Sequence, residues 1–276
     1  GLKVELINGG GADKVMTAVL TGQADIGLAG PEACIYVHNQ EKEDAPVIFA
    51  QLTKRDGSFL LGREADGSFD FSKLKGKSII AGRPGGMPYM TLLYVLRQHG
   101  LEPGSDVEVI SNIQFNLMGG AFESGTGDYV TLFEPTASAF AAQGKGHIVT
   151  NMGLESGEVP YTTFMMRKDT IENEPGFAAA FVRAIYRAQK WVWAAGDEEV
   201  AYAMQSYFPD TDIATLSAVA KSYRATDSWT RVPTMTEDAF TRLQDILDGA
   251  GELAARVELS ELVDNSFGEA AISEIG

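Results

Sequence analysis

The sequence predicts an α/β protein of two lobes, each a mainly parallel sheet flanked by helices, with a helical C-terminal tail. Three observations carry this. The chain has 276 residues, 45% of them hydrophobic, and a single core rarely keeps growing at that size, so two lobes are expected. Strand-like and helix-like segments alternate as far as residue 167, and from Pro175 the pattern is helical only. Such alternation builds parallel sheets covered by helices. One corner also occurs twice. "AVLTGQADIGLAGPEA" (18–33) and "AFESGTGDYVTLFEPTA" (121–137) share Ala18/Ala121, Gly22/Gly125 and Asp25/Asp128 at identical spacing, with Pro31/Pro135 and Ala33/Ala137 following after a one-residue insertion. A helix ending at glycine, a turn aspartate, a short strand and a proline, made twice, implies one sheet per lobe.

Taken in order, "KVELI" (3–7) is a strand by composition. Residues 9–23 open on a glycine turn and become a helix with Val15, Val19 and Leu20 on one face. Residues 25–29 form a short strand, and Pro31 opens the next helix at its first turn. Segments 45–52 and 58–63 read as buried strands, and "TKRDGS" between them carries a hairpin signal. The polar stretch 64–70 is the expected crossing into the second lobe. A one-turn helix, a glycine and a buried strand follow to residue 82. "RPGGMPYMTLLYVLRQHG" (83–100) is a loop feeding an amphipathic helix that stops at Gly100. Strands are expected at 106–111, 128–133 and 146–151, and 160–167 is a strand that returns to the first lobe. The first lobe is thus 1–63 plus 165–276, and the second 64–164. Four helical segments, 175–196, 197–208, 211–223 and 236–251, make up the tail.

Composition narrows the function. With 38 acidic and 22 basic residues the net charge is −16, which repels nucleic acid and anionic membranes. The lone cysteine, Cys34, excludes an internal disulfide and a thiolate metal cluster, and its apolar setting predicts a buried structural thiol. His38, His99 and His147 have no metal-ligand spacing, and His99 in the last turn of a helix suits the negative end of the dipole. No Gly-x-Ser-x-Gly elbow and no run of 18 apolar residues occurs. "GRPGGMPY" lacks the Gly-Lys-Ser/Thr of a phosphate loop, and "GGGAD" does not fit dinucleotide spacing. No cofactor or metal is expected. The chain starts at Gly1, without a methionine and within an expected strand, as a processed or trimmed chain does.

In parallel sheets, ligands bind beyond the carboxyl ends of the strands. The residues there are Gly30, Pro31 and Glu32 after the second expected strand. After residue 82 come Arg83, Gly85, Gly86, Met87 and Tyr89, where two glycines before a helix let backbone approach a ligand. Asn112, Phe115 and Asn116 follow the next strand, Glu134 the one after, and Tyr161 and Thr162 mark the return. Tyr89, Phe115 and Tyr161 could serve as ring platforms, as could Phe133, whereas Trp191 and Trp193, inside an apolar helix, are expected in the core. Asp25 and Asp128 fit turn acceptors better than a catalytic pair. Glu134 is either a ligand acceptor or a structural carboxylate.

These residues resemble a known family. "LTGQADIG", "FSKLKGKSI", "AFESGTGDY" with "FEP", "IENEPGFAAAFVRAIYRA", "MTEDAFTRLQDIL" and "ELVDNSF" together are similar to the solute-binding proteins of ABC importers, of the nitrate/sulfonate/taurine and thiamine-pyrimidine-precursor type. The resemblance implies the type II periplasmic-binding-protein fold, with two lobes joined by two crossover strands. It also implies a small-molecule ligand trapped by cleft closure, a monomer without catalysis, and docking on ABC-transporter permease subunits. The location implied is extracytoplasmic, in the periplasm or lipid-anchored on the outer face of the cytoplasmic membrane. Members usually begin with one more strand and helix, and anion binders often carry Ser or Thr where this chain has "PGGMPY". With only Arg83 adding positive charge, a neutral or aromatic compound such as a pyrimidine fits Tyr89, Phe115 and Glu134 better than a sulfonate- or nitrate-like anion. The alternative is a small-molecule enzyme on the same fold, of the menaquinone-pathway type. A yeast-type pyrimidine synthase needs a cysteine-rich motif that Cys34 alone cannot supply.

Overall fold

A computed structural model of the chain describes residues 2–40 and 45–276. The elements run α1 (Ala12–Leu20), β1 (Gly27–Ala29), α2 (Glu32–His38), β2 (Val47–Thr53), β3 (Ser58–Gly62), β4 (Ser78–Ile80), α3 (Met87–Gln98) and β5 (Glu108–Ile110). They continue with α4 (Met118–Glu123), β6 (Tyr129–Phe133), α5 (Thr136–Ala142), β7 (His147–Asn151), α6 (Met152–Ser156) and β8 (Thr162–Met166). Helices α7 (Lys168–Asn173), α8 (Pro175–Ala194), α9 (Asp197–Met204), α10 (Ile213–Ala225), α11 (Glu237–Gly249), α12 (Leu259–Leu262) and α13 (Ser266–Ile275) complete it.

The chain divides into two compact units, Gly1–Lys54 with Val159–Ala194 and Trp229–Gly276, and Arg55–Glu158 with Ala195–Ser228. It therefore passes between units at four points rather than two. The expected crossing at 64–70 lies inside the second unit, as do β3 and the two helices α9 and α10.

The second unit holds a five-stranded sheet in the order β5-β4-β6-β3-β7. β4 runs parallel to β5 and β6, while β3 is antiparallel to β6 and β7. Every residue of β3 is buried, because both faces of the sheet are covered, and a strand so placed reads as an unbroken apolar run. Leu60 packs with Ile79, Leu92, Val95 and Leu96 on the α3 side. Its neighbours Phe59 and Leu61 pack with Val130, Leu132, Met118 and Phe122 on the other.

The first unit holds a three-stranded sheet, β1-β8-β2, with β8 antiparallel to both neighbours. Phe49, Phe164 and Met166 meet Ala178, Val182 and Tyr186 of α8 and Ala271 of α13. The order β1-β8-β2 repeats β6-β3-β7, so the duplicated corner belongs to a duplicated half-sheet. Each antiparallel strand is followed by an arginine that turns back on its corner. Arg63 donates to the carbonyls of Phe122 (3.1 Å), Thr126 (2.9 Å) and Gly127 (2.6 Å), its guanidinium 4.4 Å from the Phe122 ring centre. Arg167 lies against Gly22, which has φ +71°, where a Cβ would meet its Nη1. Asp128 also works as the turn acceptor expected of it. One carboxylate oxygen accepts from both the amide and the hydroxyl of Ser78, each at 2.9 Å, tying β6 to β4. Those bonds, helped by Lys77 and Arg63, hold its carboxyl below the usual range.

Three expectations are corrected. Residues 3–7 form no strand: they carry no regular structure and are exposed, Leu6 at 69% and Ile7 at 71%. Among the described residues β1 pairs with β8 only and no strand pairs with residues 3–7, and a strand does not persist unpaired. Gly1 lies outside the described residues. The hairpin at 53–58 does not form either, since β2 and β3 join different sheets. Instead Asp56 Oδ1 accepts from the Ser58 amide at 2.7 Å, a local turn with the same Asp-Gly signature as a hairpin. Lastly, Trp191 is 42% exposed. The buried face of α8 is Ala178, Val182, Tyr186 and Gln189, which favours Trp193, whose indole donates to the Thr230 carbonyl at 3.2 Å beneath Arg231. Cys34 is buried as expected, and burial, then the Glu32 carboxylate, push its thiol far up.

Two outcomes follow for the second unit. Arg63→Ala should cost about 1 kcal/mol in chemical denaturation, the scale of a hydrogen-bonded charge partly open to water, and Arg63→Lys should not recover it, because a single ammonium cannot span three carbonyls. Asp128→Asn should lower the melting temperature at neutral pH. A carboxyl held low contributes stability above its unfolded pKa, near 4, and loses it as the pH falls through the folded value. Melts of the two proteins should therefore converge on acidification, and a constant gap would exclude the role.

Candidate functional site

In the second unit β4, β5, β6 and β7 all point their carboxyl ends the same way, and the antiparallel β3 starts from that end. The register pairs Ser58 with Phe133 and Phe59 with Asn151. Residues 55–57 are therefore level with Glu134 and with the start of α6. The loops after β4 and β5 leave from this end too, so Arg83 to Tyr89, Asn112 to Asn116 and Glu134 are grouped at one end of one sheet, as the sequence places them.

Their individual roles differ. Gly85 has φ +73°, a left-handed turn open to glycine, and Gly86 caps α3 with its carbonyl accepting from the Tyr89 and Met90 amides, both at 3.1 Å. Met87 is buried, and Tyr89 packs against the α3-side core rather than standing clear of it. Arg83, Asn112 and Asn116 are exposed. Phe115 is 58% exposed and lies 5.6 Å, centre to centre, from Phe133. Glu134 turns inward. Its two oxygens accept from the Ser138 amide (2.9 Å) and hydroxyl (2.8 Å), closing the first turn of α5. Its own amide donates to the Tyr223 hydroxyl at 3.3 Å, and that hydroxyl donates to the Gly57 carbonyl at 3.2 Å. Burial pushes the Tyr223 phenol well above its usual range, so it keeps the proton this second bond needs.

In the first unit β8 starts at the carboxyl ends of its neighbours, with Thr163 opposite Ala29 and Thr162 opposite Thr53. Tyr161 and Thr162 thus arrive where Gly30, Pro31 and Glu32 leave. The Tyr161 amide donates to the Thr53 carbonyl at 3.1 Å, and Thr163 Oγ1 to the Ala29 carbonyl at 3.4 Å. Pro31 caps α2. Glu32 is buried, its carboxylate folded beneath Gly30 where any Cβ would overlap it.

Sequence reading missed Arg55, Asp56, Gly57 and Tyr223 at the second unit's strand ends. The first three stood inside the supposed hairpin, and Tyr223 comes from a helix far along the chain. Among the described residues no group of three His, Cys, Asp or Glu side chains could hold a metal ion. None of their helices is long and apolar enough to cross a membrane. The strand ends offer aromatic faces, backbone amides and arginine.

Two α/β units of this topology define the periplasmic-binding-protein fold, and solved structures share it. The alkanesulfonate-binding protein SsuA of Xanthomonas axonopodis pv. citri, bound to MOPS, matches with a TM-score of 0.74 at 16% identity, over 93% of this chain and 86% of that one. The nitrate-binding protein NrtA of Synechocystis PCC 6803 matches at 0.69 and 18%, over 96% and 79%. The desulfurization enzyme DszB matches at 0.64 and 15%, over 90% and 85%. The chain itself belongs to the NMT1-like family, whose model matches residues 1–206. Bacillus subtilis YtlA, provisionally named a binding protein, is 42% identical over 274 residues, 99% of this chain and 82% of its own.

The inward turn of Glu134 gives a clear expectation. Glu134→Ala should lower stability by about 1 kcal/mol, as loss of a helix-capping side chain does, whereas Phe115→Ala should leave the melting temperature nearly unchanged. Equal melts for the two variants would remove Glu134 from the fold's support.

Proposed function

We propose that this chain is an extracytoplasmic solute-binding protein. It captures a small molecule at the strand ends of its units, closes on it, and delivers it unchanged to the permease subunits of an ABC importer. It works as a monomer, in the periplasm or lipid-anchored outside the cytoplasmic membrane. The observation that supports this reading best is the repeated half-sheet. In each unit an antiparallel strand starts at the end where the corner strand finishes, so the two units offer matching sets of loops to a solute. A ligand that prefers the closed arrangement shifts the population toward it by that preference and no more.

The test is a thermal-shift panel of sulfonates including MOPS, nitrate, pyrimidines, riboflavin and aromatic acids. A ligand at a hundred times its Kd adds about 2.7 kcal/mol, a rise of several degrees. Mass spectrometry then asks whether the stabilising compound is recovered intact. Repeated turnover would instead establish the enzyme reading, which the fold likeness to DszB keeps as the alternative.

A further inference from the structure

We infer that Arg55 reads the charge of the ligand, and that the ligand carries a compact oxyanion head, a carboxylate or a sulfonate. The inference rests on the solute-binding reading above and names the chemistry of that site. Arg55 lies three residues before Ser58, the start of β3, and Ser58 is paired with Phe133 at the end of β6. The side chain therefore belongs to the strand-carboxyl end of the second unit, level with Glu134 and Gly153.

Its hydrogen bonding is sparse for a guanidinium. Nη1 donates to the Gly153 carbonyl at 3.3 Å. The Nε–H is buried and has no acceptor among the described residues. Among the described residues Arg55 forms no ion pair either, in a chain with 38 acidic side chains against 22 basic. A guanidinium carries five donors in a fixed fork suited to planar or tetrahedral oxyanions. Leaving a charged donor buried without an acceptor costs stability. Proteins tolerate such a cost mainly at functional sites.

The surroundings hold the group in this condition. A Cβ on Gly153 would collide with the Asp56 carbonyl and approach Arg55 Cβ to 2.9 Å, so the 55–56 backbone lies tightly against the start of α6. Of the nearby carboxylate oxygens, Asp56 Oδ1 accepts from the Ser58 amide and both Glu134 oxygens from Ser138. An incoming oxyanion is the partner that Arg55 lacks. The exposed Phe115 ring, at the same end of the sheet, suits an organic body attached to that head.

The experiment compares the full chain with Arg55→Gln and Arg55→Lys. Melting and calorimetric titration use MOPS, methanesulfonate, acetate and benzoate, with uracil as the neutral control. At least one oxyanion should stabilise the unsubstituted chain, the sulfonate and carboxylate arms showing which head is preferred. Arg55→Gln should weaken it about ten- to a hundredfold, the loss expected for a charge-assisted pair, and Arg55→Lys by less. Both variants without ligand should melt close to the parent or above it, since each removes the buried Nε–H that has no acceptor among the described residues. Equal affinity in Arg55→Gln would overturn the assignment, as would a large fall in unliganded melting temperature for both variants. If uracil binds and no oxyanion does, the inference fails while the solute-binding reading stands. If a bound acid is turned over, that reading fails while the effect of Arg55 on affinity is still measured.

Discussion

The ladder between each antiparallel strand and its corner strand, β3 with β6 and β8 with β1, places everything else in the molecule. A two-residue side-chain period means that a slip of one residue would turn Phe59 and Leu61 to the face of Leu60. Both faces of that strand are filled, so the register is fixed. Once it is fixed, the start of one strand stands beside the end of the other. Residues arriving from the other unit then meet those leaving a corner: Arg55 to Gly57 beside Glu134, and Tyr161 with Thr162 beside Gly30 to Glu32. The strand ends acquire their chemistry from this pairing and not from any single motif.

Polar groups finish what the ladder begins. Arg63 and Asp128 gather the turn before β6 from opposite sides, one by donating to its carbonyls and the other by accepting from the neighbouring strand. Tyr223 joins the start of β3 to the end of β6 through one hydroxyl. These contacts use up most of the polar capacity of the corner in support of the fold. Arg55 is the arginine at these strand ends whose Nε–H is buried without an acceptor among the described residues.

Much of the architecture was readable in advance, because it rests on local signals. The Gly22/Gly125 and Asp25/Asp128 spacings gave the repeat. The apolar run at 58–62 announced a strand covered on both faces. Helix ends at Gly100 and after Pro175 followed from capping rules. What could not be read depends on partners far away in sequence. "TKRDGS" has the composition of a hairpin whether the next strand folds back or leaves for another sheet. "KVELI" has strand composition, yet a strand exists only where a neighbour accepts its hydrogen bonds. The loops after β4, β5 and β6 that the strand-end rule singled out leave from one end of the second unit's sheet. Glu134 was undecided until Ser138 was seen to occupy both oxygens. Arg55 was invisible because an antiparallel strand brings its beginning, not its end, to that edge, and Tyr223 because it comes from a helix far along the chain.

The assignment of Ala195–Ser228 to the second unit has a consequence for biosynthesis. The stretch Arg55–Glu158 leaves the ribosome well before α10 does, so its sheet must wait, with Gly57 and the Glu134 amide still lacking the phenol that will join them. Vectorial folding therefore cannot finish one half and then begin the other. Each unit is completed only by a late segment, the second by Ala195–Ser228 and the first by Trp229–Gly276.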